Sequence, residues 1–250
     1  RRDAHLARIA VTTPDDGTLH KRDLFGTLRR RAVAQGSATV ECAERDTTTA
    51  ARGLGWLARR LAAREARALV ALRDLPRVPR LVGWNGRELQ RSWLPGSPLH
   101  RAEPPARAYF RDALTLVRRM HAAGVVHNDL AKEPNWLVGS DGRPALVDFQ
   151  LAMRPRHRGR LFRMLAWDDL RHLLKHKRSY CPESLTARQR AILARRSPLA
   201  ALWARTGKPA YRFVTRGLLG WSDREGAGDR GATQGSSRSN SSDGASPGRK

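Results

Sequence analysis

Apolar residues recur at helical intervals in five stretches of the chain. In residues 50–72, leucines follow one another at spacings of three, four or eight, which places them on one side of a helix. Residues 106–123 and 161–177 carry similar apolar stripes, and shorter ones occupy 185–195 and 199–203. Each stretch predicts a helix, and the residues expected to end or cap these helices are Gly124, Thr186 and Ser197.

Short apolar runs predict strands in the first hundred residues. They lie at 18–28, 38–42, 78–82 and 88–94. Asn85-Gly86, between the last two runs, is a strong signal for a tight hairpin turn. Gly26 is expected to form an ordinary turn or bulge.

A further hairpin is predicted around Asp141-Gly142, because these residues supply the positive φ that a two-residue loop needs and apolar runs flank them. In that register Asn135 and Asp148 face each other across the strands, with Cβ atoms roughly 5 Å apart. An amide oxygen beside a carboxylate suits a hard cation such as Mg²⁺. Asp129, in the loop upstream, adds a second carboxylate, so the segment predicts a site with a base and a metal.

The segment 124–152 resembles the catalytic core of the protein-kinase-like phosphotransferases. His127-Asn128-Asp129-Leu130 stands where that superfamily has His-Arg-Asp-Leu, and Asp148-Phe149-Gln150 stands where it has Asp-Phe-Gly. Asn135 takes the place of the loop asparagine. Because a full activation segment is lacking, the chain is most similar to the small bacterial RIO-like and lipopolysaccharide-sugar-kinase-like branch.

The resemblance implies a role for each polar residue of this segment. Asp129 would accept or orient the proton of the attacking hydroxyl group, and Lys132 would neutralise charge on the transferred γ-phosphoryl group. Asn135 and Asp148 would hold Mg²⁺ on the phosphates of ATP. ATP and Mg²⁺ are therefore the expected cofactors.

The resemblance also implies an α+β fold with two lobes. A small, mostly antiparallel β lobe is expected over 18–94 and a mainly helical catalytic lobe over 95–221. Residues 1–17 are expected to form an N-terminal extension. Residues 222–250 are rich in Gly, Ser, Asp and Arg and predict a disordered basic tail.

The small lobe departs from the superfamily pattern, because the glycine-rich loop is missing and no lysine occurs at 22–131. By position, Arg45 is the best substitute for the lysine that normally contacts ATP phosphates. Glu65 projects from the apolar face of its predicted helix and needs a cation from elsewhere, for which Arg45 is the expected partner. The connection at Trp93 and Leu94 is expected to meet the adenine.

Two further departures lie in the catalytic segment. Asn135 follows Asp129 by six residues, whereas the usual spacing is five. Asp148 is followed by Phe-Gln, so the glycine that lets many kinases flip this segment is absent and a flipping switch is not expected.

Two neighbouring carboxylates on the predicted helix 161–177 have different expected environments. Asp169 has apolar neighbours at helical spacing and is expected to point inward, where it would hydrogen-bond the backbone around His127 as the large-lobe helix aspartate does in this superfamily. Asp168 faces a more mixed side and is expected to be exposed.

The formal net charge of +25 would ordinarily suggest nucleic acid or an anionic membrane as partner. Only six of the 48 basic residues are lysines, and the arginines are spread along the chain without a nucleic-acid-binding motif, so no dedicated nucleic-acid site is expected. Peripheral contact with an anionic membrane stays open. The segment 153–160 is either a basic lip that attracts an anionic acceptor or a solvated basic loop.

Cys42 and Cys181 lie far apart in sequence and show no metal-binding spacing, so reduced thiols in a cytoplasmic protein are expected. No apolar run of 18 residues and no leader pattern is visible, which predicts neither a membrane span nor a signal peptide.

The predicted function is ATP- and Mg²⁺-dependent phosphoryl transfer to a hydroxyl group. A serine or threonine of a protein is the first acceptor implied by the RIO-like resemblance, and a lipopolysaccharide core sugar (Kdo or heptose) is the alternative. A pseudokinase that binds nucleotide without turnover is the alternative of another class. The oligomeric state stays open.

Overall fold

The computed structural model of the chain describes residues 18–35, 38–102 and 106–195. The predicted N-terminal extension, the helix at 199–203 with its cap Ser197, and the tail from 222 lie outside these ranges. Within them, the predicted division near residue 94 remains a proposal.

The first part of the chain forms a five-stranded antiparallel sheet and one helix. The sheet has the strand order β1-β2-β3-β5-β4. Its strands are β1 (Thr18–Asp23), β2 (Gly26–Gln35), β3 (Ala38–Asp46), β4 (Leu81–Trp84) and β5 (Glu88–Ser92), and helix α1 (Gly55–Ala71) lies between β3 and β4 in the chain. All four predicted apolar runs overlap strands of this sheet. The run at 78–82 does so only at Leu81 and Val82, and the run at 18–28 is divided between β1 and β2.

Gly26 has a stricter role than the ordinary turn expected from the sequence. It begins β2 with a φ of +126°, and a Cβ atom at this position would lie 2.0 Å from the backbone oxygen of Asp46. Only glycine allows both the backbone conformation and this close approach of β2 to the end of β3.

Helix α1 connects the sheet to the rest of the molecule. Ala62 and Ala66 pack with Leu89 of β5, while Leu69 and Leu72, next along the apolar stripe, join the main hydrophobic core. One part of the apolar stripe thus packs on the sheet and the other on the main core. These contacts hold α1 between the sheet and the helical part of the chain.

The second part of the chain is mainly helical. Its elements are β6 (Ser97–Pro98), α2 (Arg107–Ala122), β7 (Trp136–Val138), β8 (Pro144–Leu146), α3 (Arg160–Tyr180) and α4 (Ala187–Ala194), with 3₁₀ turns at Glu133–Asn135, Phe149–Leu151 and Pro182–Ser184. Gly124, with φ +80°, directly follows the C-cap of α2, as predicted. Thr186 forms a capping box with Gln189 and begins α4, which confirms the predicted N-cap.

The main hydrophobic core lies between α2, α3 and the β7–β8 hairpin. Its largest fully buried side chains include Trp136, Tyr109, Phe149 and Met120. An antiparallel sheet followed by a helical lobe with a small hairpin confirms the predicted two-lobed α+β fold. None of the helices in the described ranges is long and apolar enough to cross a membrane.

Candidate active site

The β7–β8 hairpin is offset by one residue from the predicted register. Trp136 pairs with Leu146, and the Val147 N–H donates to the Asn135 carbonyl oxygen at 3.1 Å. The loop of the hairpin has three residues, 140–142, and ends at Gly142, which has a φ of +71°. The Gly142 N–H donates to the Gly139 carbonyl oxygen. The prediction that Asn135 and Asp148 face each other in a two-residue register is therefore wrong, because the left-handed glycine adds a residue to the turn.

The Asp129 carboxylate is held by two neighbouring side chains. Asn135 Nδ2 donates to Asp129 Oδ2 at 3.0 Å and to the Asp129 carbonyl oxygen at 2.9 Å, and Lys132 Nζ lies 3.0 Å from the same Oδ2. The extra residue between Asp129 and Asn135 is accommodated in the 3₁₀ turn Glu133–Asn135. Within the described residues Oδ1 of Asp129 accepts no hydrogen bond, so it can accept one from a ligand.

Asp169 of α3 fixes the backbone that precedes Asp129. Its carboxylate accepts hydrogen bonds from the N–H groups of His127 at 2.8 Å and Asn128 at 3.0 Å, which confirms the predicted contact. His121 Nε2 lies 3.0 Å from Oδ2 of the same carboxylate. Asn128 takes a left-handed conformation with φ +63°, a strained backbone that these contacts maintain.

Asp168 differs from its predicted exposure. Its side chain is half-buried and lies 3.5 Å from Nε2 of His172, one helical turn further along α3. The prediction of an exposed Asp168 is wrong because the flank of α3 that carries it is partly covered.

His127 links the Asp129 loop to the segment that carries Asp148. Its side chain is fully buried, its Nε2 lies 3.0 Å from the Val147 carbonyl oxygen, and its ring lies 4.6 Å from that of Phe149. Asn128 Nδ2 adds a hydrogen bond to the Leu151 carbonyl oxygen at 3.0 Å. Two hydrogen bonds and one aromatic contact thus join the loop that carries Asp129 to the segment that carries Asp148.

Asp148 has the properties of a metal ligand. It adopts a left-handed backbone, with φ +64° and ψ +69°, which is rare for a residue other than glycine. Its half-buried carboxylate accepts no hydrogen bond and forms no ion pair with any residue in the described ranges. A carboxylate desolvated in this way is stabilised by a cation.

The donor set fits Mg²⁺. The Asn135 amide uses its nitrogen to bind Asp129, which leaves its oxygen available for a ligand. The Asp148 carboxylate is likewise available. Among the described residues no three His, Cys, Asp or Glu side chains cluster as a metal site. Mg²⁺ commonly takes one or two protein oxygens and completes its shell with phosphate and water, so the small number of protein ligands agrees with this ion.

Glu65 of α1 is fully buried and forms its ion pair with Arg91 of β5, at 3.1 Å, rather than with the predicted Arg45. Burial raises the pKa of Glu65 and the nearby Asp148 carboxylate adds to this, whereas Arg91, Arg45 and the Phe149 N–H lower it. The predicted Arg45–Glu65 pair is wrong because β5 also presents a cation to α1, from the strand next to β3. Glu65 nonetheless lies close to Arg45, Asp148 and the turn at Phe149.

Arg45 has other partners. Its Nη1 lies 3.2 Å from both carboxylate oxygens of Asp23, at the end of β1. With the Gln150 amide oriented so that it satisfies its hydrogen bonds, Gln150 Oε1 accepts from Nη2 at 2.8 Å and from Nε at 2.9 Å. Arg45 is 4% exposed and is therefore fixed between the first strand and the turn that follows Asp148.

Trp93 and Leu94, in the connection between the two lobes, differ in their backbone contacts. The Trp93 N–H donates to the Glu41 carbonyl oxygen at 2.8 Å, and the Trp93 ring packs against Arg30 and His20. Leu94 makes no hydrogen bond to any other described residue, so its N–H and C=O can meet a ligand. Of the two predicted adenine contacts, Leu94 is the one whose backbone is free.

Sequence reasoning missed three residues of this site. Asp23 and Gln150 bind Arg45, and Arg91 binds Glu65. The alternation of side chains along β5 could have identified Arg91, because it shares a face with Leu89, which packs on α1. Gln150 offered a signal as the polar residue at the position of a glycine, whereas nothing in the sequence connects Asp23 to Arg45.

Comparisons with known proteins give a family match and a similar solved structure. A family model described as RIO domain matches residues 37–190. Among solved structures, the Rio2 kinase from Chaetomium thermophilum is similar, with 16% sequence identity and a TM-score of 0.49 over 63% of this chain and 55% of that chain. The present chain thus spans little more than half the length of that kinase. Among curated proteins no sequence matches.

Proposed function

The chain belongs to the RIO-domain family, and on that premise we propose that it transfers the γ-phosphoryl group of ATP, with Mg²⁺, to a hydroxyl group. The observation that carries the proposal is the arrangement of Asp129, Asn135 and Asp148. One carboxylate with a free oxygen lies beside an amide that also has a free oxygen, and a second carboxylate without a partner follows on the adjoining segment.

Asn135 and Asp148 are the proposed metal ligands, and the bound ion would neutralise charge on the ATP phosphates. The hydrogen bond from Asn135 to Asp129 orients the amide so that its oxygen faces away from Asp129. The left-handed backbone at Asp148 places the carboxylate at the end of the hairpin without the glycine that a flip of this segment would use. Both ligands are therefore held in place before the nucleotide binds.

Asp129 is the proposed acceptor of the hydroxyl proton. Its Oδ2 is bound by Asn135 and Lys132, so the remaining oxygen, Oδ1, is directed to the attacking hydroxyl group. Lys132 is largely exposed and keeps a positive charge beside the carboxylate, where it can also neutralise the transferred phosphoryl group. Catalysis by such a site consists of positioning and charge neutralisation.

The nucleotide would lie between the two lobes. The free backbone groups of Leu94 are the proposed adenine contacts, with Trp93 supporting the connection from the sheet side. Arg45 is the proposed phosphate contact from the small lobe, and Glu65 holds α1 next to it. A guanidinium group can bind phosphate through two N–H groups, although its geometry differs from that of a lysine.

A serine or threonine of a protein is the proposed acceptor, as in the RIO-like branch that the sequence resembles. One observation favours a second candidate, a phosphorylated lipopolysaccharide-type sugar. The exposed arginines at 154, 156, 160 and 163 follow the catalytic segment and have no acidic partner in the described part of the chain, so they can attract an anionic acceptor. A cytoplasmic location, where ATP is at hand, remains a prediction.

ATP consumption by the purified chain with Mg²⁺ tests the proposal. The wild type is compared with Asp129→Asn, and casein-like protein or core oligosaccharide is added in turn. Turnover that is lost in the variant supports phosphoryl transfer, and the acceptor that raises turnover identifies the substrate class. If nucleotide binds but no acceptor supports turnover, the chain is a pseudokinase and the proposed transfer is wrong.

A further inference from the structure

We propose that two arginines of the small lobe share the work of the missing lysine: Arg91 holds helix α1 through Glu65, and Gln150 orients Arg45 toward the nucleotide phosphates. In this proposal Gln150 is a positioning residue that acts only through Arg45. The inference rests on the proposed nucleotide-binding function and specifies which side chains carry out its small-lobe part.

Arg91 and Arg45 lie on the same face of the sheet. Arg91 pairs across the strands with Ala43, and Arg45 pairs with Leu89, so all four side chains point toward α1. Arg91 is 6% exposed and its guanidinium meets the buried Glu65 carboxylate at 3.1 Å. A buried ion pair of this kind holds both partners, because separating them leaves an unpaired charge in the interior. Arg91 is therefore committed to the helix.

Arg45 keeps donors for a ligand. A guanidinium group has five N–H groups. The single oxygen of Gln150 accepts from Nε and from Nη2, and both carboxylate oxygens of Asp23 lie 3.2 Å from Nη1. The second N–H of Nη2 has no acceptor among the described residues, so it can donate to an oxygen of a phosphate.

Gln150 suits this task better than the glycine that it replaces. It is buried, and it lies in the turn Phe149–Leu151 that directly follows the metal ligand Asp148. Its neutral amide accepts from Arg45 without adding a second carboxylate to that of Asp23, which already lies against this guanidinium. A glycine would leave the inner nitrogens of Arg45 desolvated and without an acceptor. The same turn thus sets the position of the metal ligand and of the phosphate-binding cation.

The test measures the affinities of the full chain for MgATP and for adenosine by titration calorimetry, and uses their ratio as the contribution of the phosphates. We expect Arg45→Ala to lower this ratio by about 10-fold or more, the scale of lost hydrogen bonds to a charged group. Gln150→Ala should lower it by about three- to tenfold, as expected for one hydrogen-bond acceptor. The double variant should be no worse than Arg45→Ala alone, and Arg87→Ala, at an exposed arginine of the β4–β5 turn, should leave the ratio unchanged.

A second set of variants separates positioning from a merely structural role. Gln150→Glu keeps an acceptor for Arg45 but adds a second carboxylate beside it, so the ratio should fall while the melting temperature stays near that of the wild type. Arg91→Met should lower the melting temperature, and the double variant Arg91→Met/Glu65→Met should regain much of the lost melting temperature.

Two results would overturn the inference while leaving the proposed function intact. One is that Gln150→Ala and Arg45→Ala lower the ratio additively, which would mean that Gln150 does not act through Arg45. The other is that Arg91→Met lowers the ratio and Arg45→Ala does not, which would make Arg91 the phosphate contact. If the wild type binds neither MgATP nor adenosine, the proposed function itself is wrong, and this inference is overturned with it.

Discussion

The catalytic segment of the large lobe and the facing part of the small lobe differ in how closely they follow the kinase pattern. Between Val126 and Gln150 the polar residues expected from the sequence are present, and short local contacts hold them. In the small lobe the expected lysine is absent, and the carboxylate of Glu65 is bound by an arginine from a different strand. The large-lobe segment thus follows the kinase pattern in its polar residues, whereas the small lobe forms an ion pair with Glu65 from a different strand.

The difference has a physical origin. Asp129, Asn135 and Asp148 lie within 20 residues of one another in the sequence, and one loop and one hairpin set their positions. The small-lobe groups come from β1, β3, α1 and β5, whose side chains meet only in the folded sheet. Because side chains of neighbouring strands lie next to one another on the same face of a sheet, either strand can supply the arginine that pairs with Glu65.

The largest expected effect concerns the catalytic segment in its proposed role as metal site. We expect Asp148→Asn to lower Mg²⁺-dependent turnover by about a hundredfold or more, because a metal ion contributes several kcal/mol to stabilisation of transition-state charge. Asp168→Asn, on the flank of α3, is the matched control and should change turnover little. Equal effects of the two substitutions would contradict the assignment of Asp148.

The next effect concerns the ion pair of the small lobe. Arg91→Met leaves the buried Glu65 carboxylate without its cation, which should lower the free energy of unfolding by about 3–5 kcal/mol. Urea denaturation measures this loss. Arg80→Met, at an exposed arginine just before β4, is the control and should lie within about 0.5 kcal/mol of the wild type. An unchanged stability in Arg91→Met would show that Glu65 does not depend on this pair.

A smaller effect is expected where α3 supports the catalytic loop. Asp169→Ala removes the acceptor for the buried N–H group of His127 and the half-buried N–H group of Asn128. This should cost about 1–3 kcal/mol for each group that is left desolvated without a partner. Turnover should fall as well, because Asp129 is the next residue in the chain after Asn128 and would lose the support of this backbone. Urea denaturation and a turnover assay on the same preparation test both statements, and a loss of stability without any loss of turnover would contradict the positioning role.

The smallest effect is a pH dependence of stability that arises at His176. Burial lowers the pKa of this histidine, whose Nε2 lies 2.8 Å from the Leu130 carbonyl oxygen, although that contact and Glu133 oppose the shift. Below its usual pKa of 6.5 the unfolded chain takes up a proton that the folded chain resists, so the free energy of unfolding should fall as the pH falls from 6.5 toward the lowered pKa.

The matched variant for this effect is His176→Gln, whose amide can donate to Leu130 but does not titrate. Urea denaturation at pH 7.5, 6.5 and 5.5 should show a smaller loss of stability at low pH in the variant than in the wild type. Parallel pH curves for the two proteins would contradict the assignment to His176.

Much of the fold followed from the sequence, because periodicity and turn residues are local signals. The helix stripes at 106–123 and 161–177 agree with α2 and α3 to within three residues, and Thr186 caps α4 as expected. The inward position of Asp169 also followed from its neighbours at helical spacing. The hairpin register failed by one residue, because Asp141-Gly142 is compatible with loops of two or three residues and the sequence does not distinguish them.

The parts of the site that the sequence did not reveal depend on contacts between distant strands. The choice between Arg45 and Arg91 as the partner of Glu65 is decided by how β3 and β5 lie beside α1, which no local pattern contains. The contact of Asp23 with Arg45 likewise depends on the pairing of β1 with β2. Left-handed residues such as Asp148 were missed because the preference of Asn and Asp for this conformation is weak, and most of them adopt other backbone conformations.

A crystal structure of the chain with Mn²⁺ and a non-hydrolysable ATP analogue tests the central claim most directly, since anomalous scattering locates the metal. The account predicts a metal peak between Asn135 and Asp148, a phosphate within hydrogen-bonding distance of Arg45, and an unchanged ion pair between Arg91 and Glu65. A metal bound elsewhere, or Arg91 on the phosphates with Glu65 released, would contradict it.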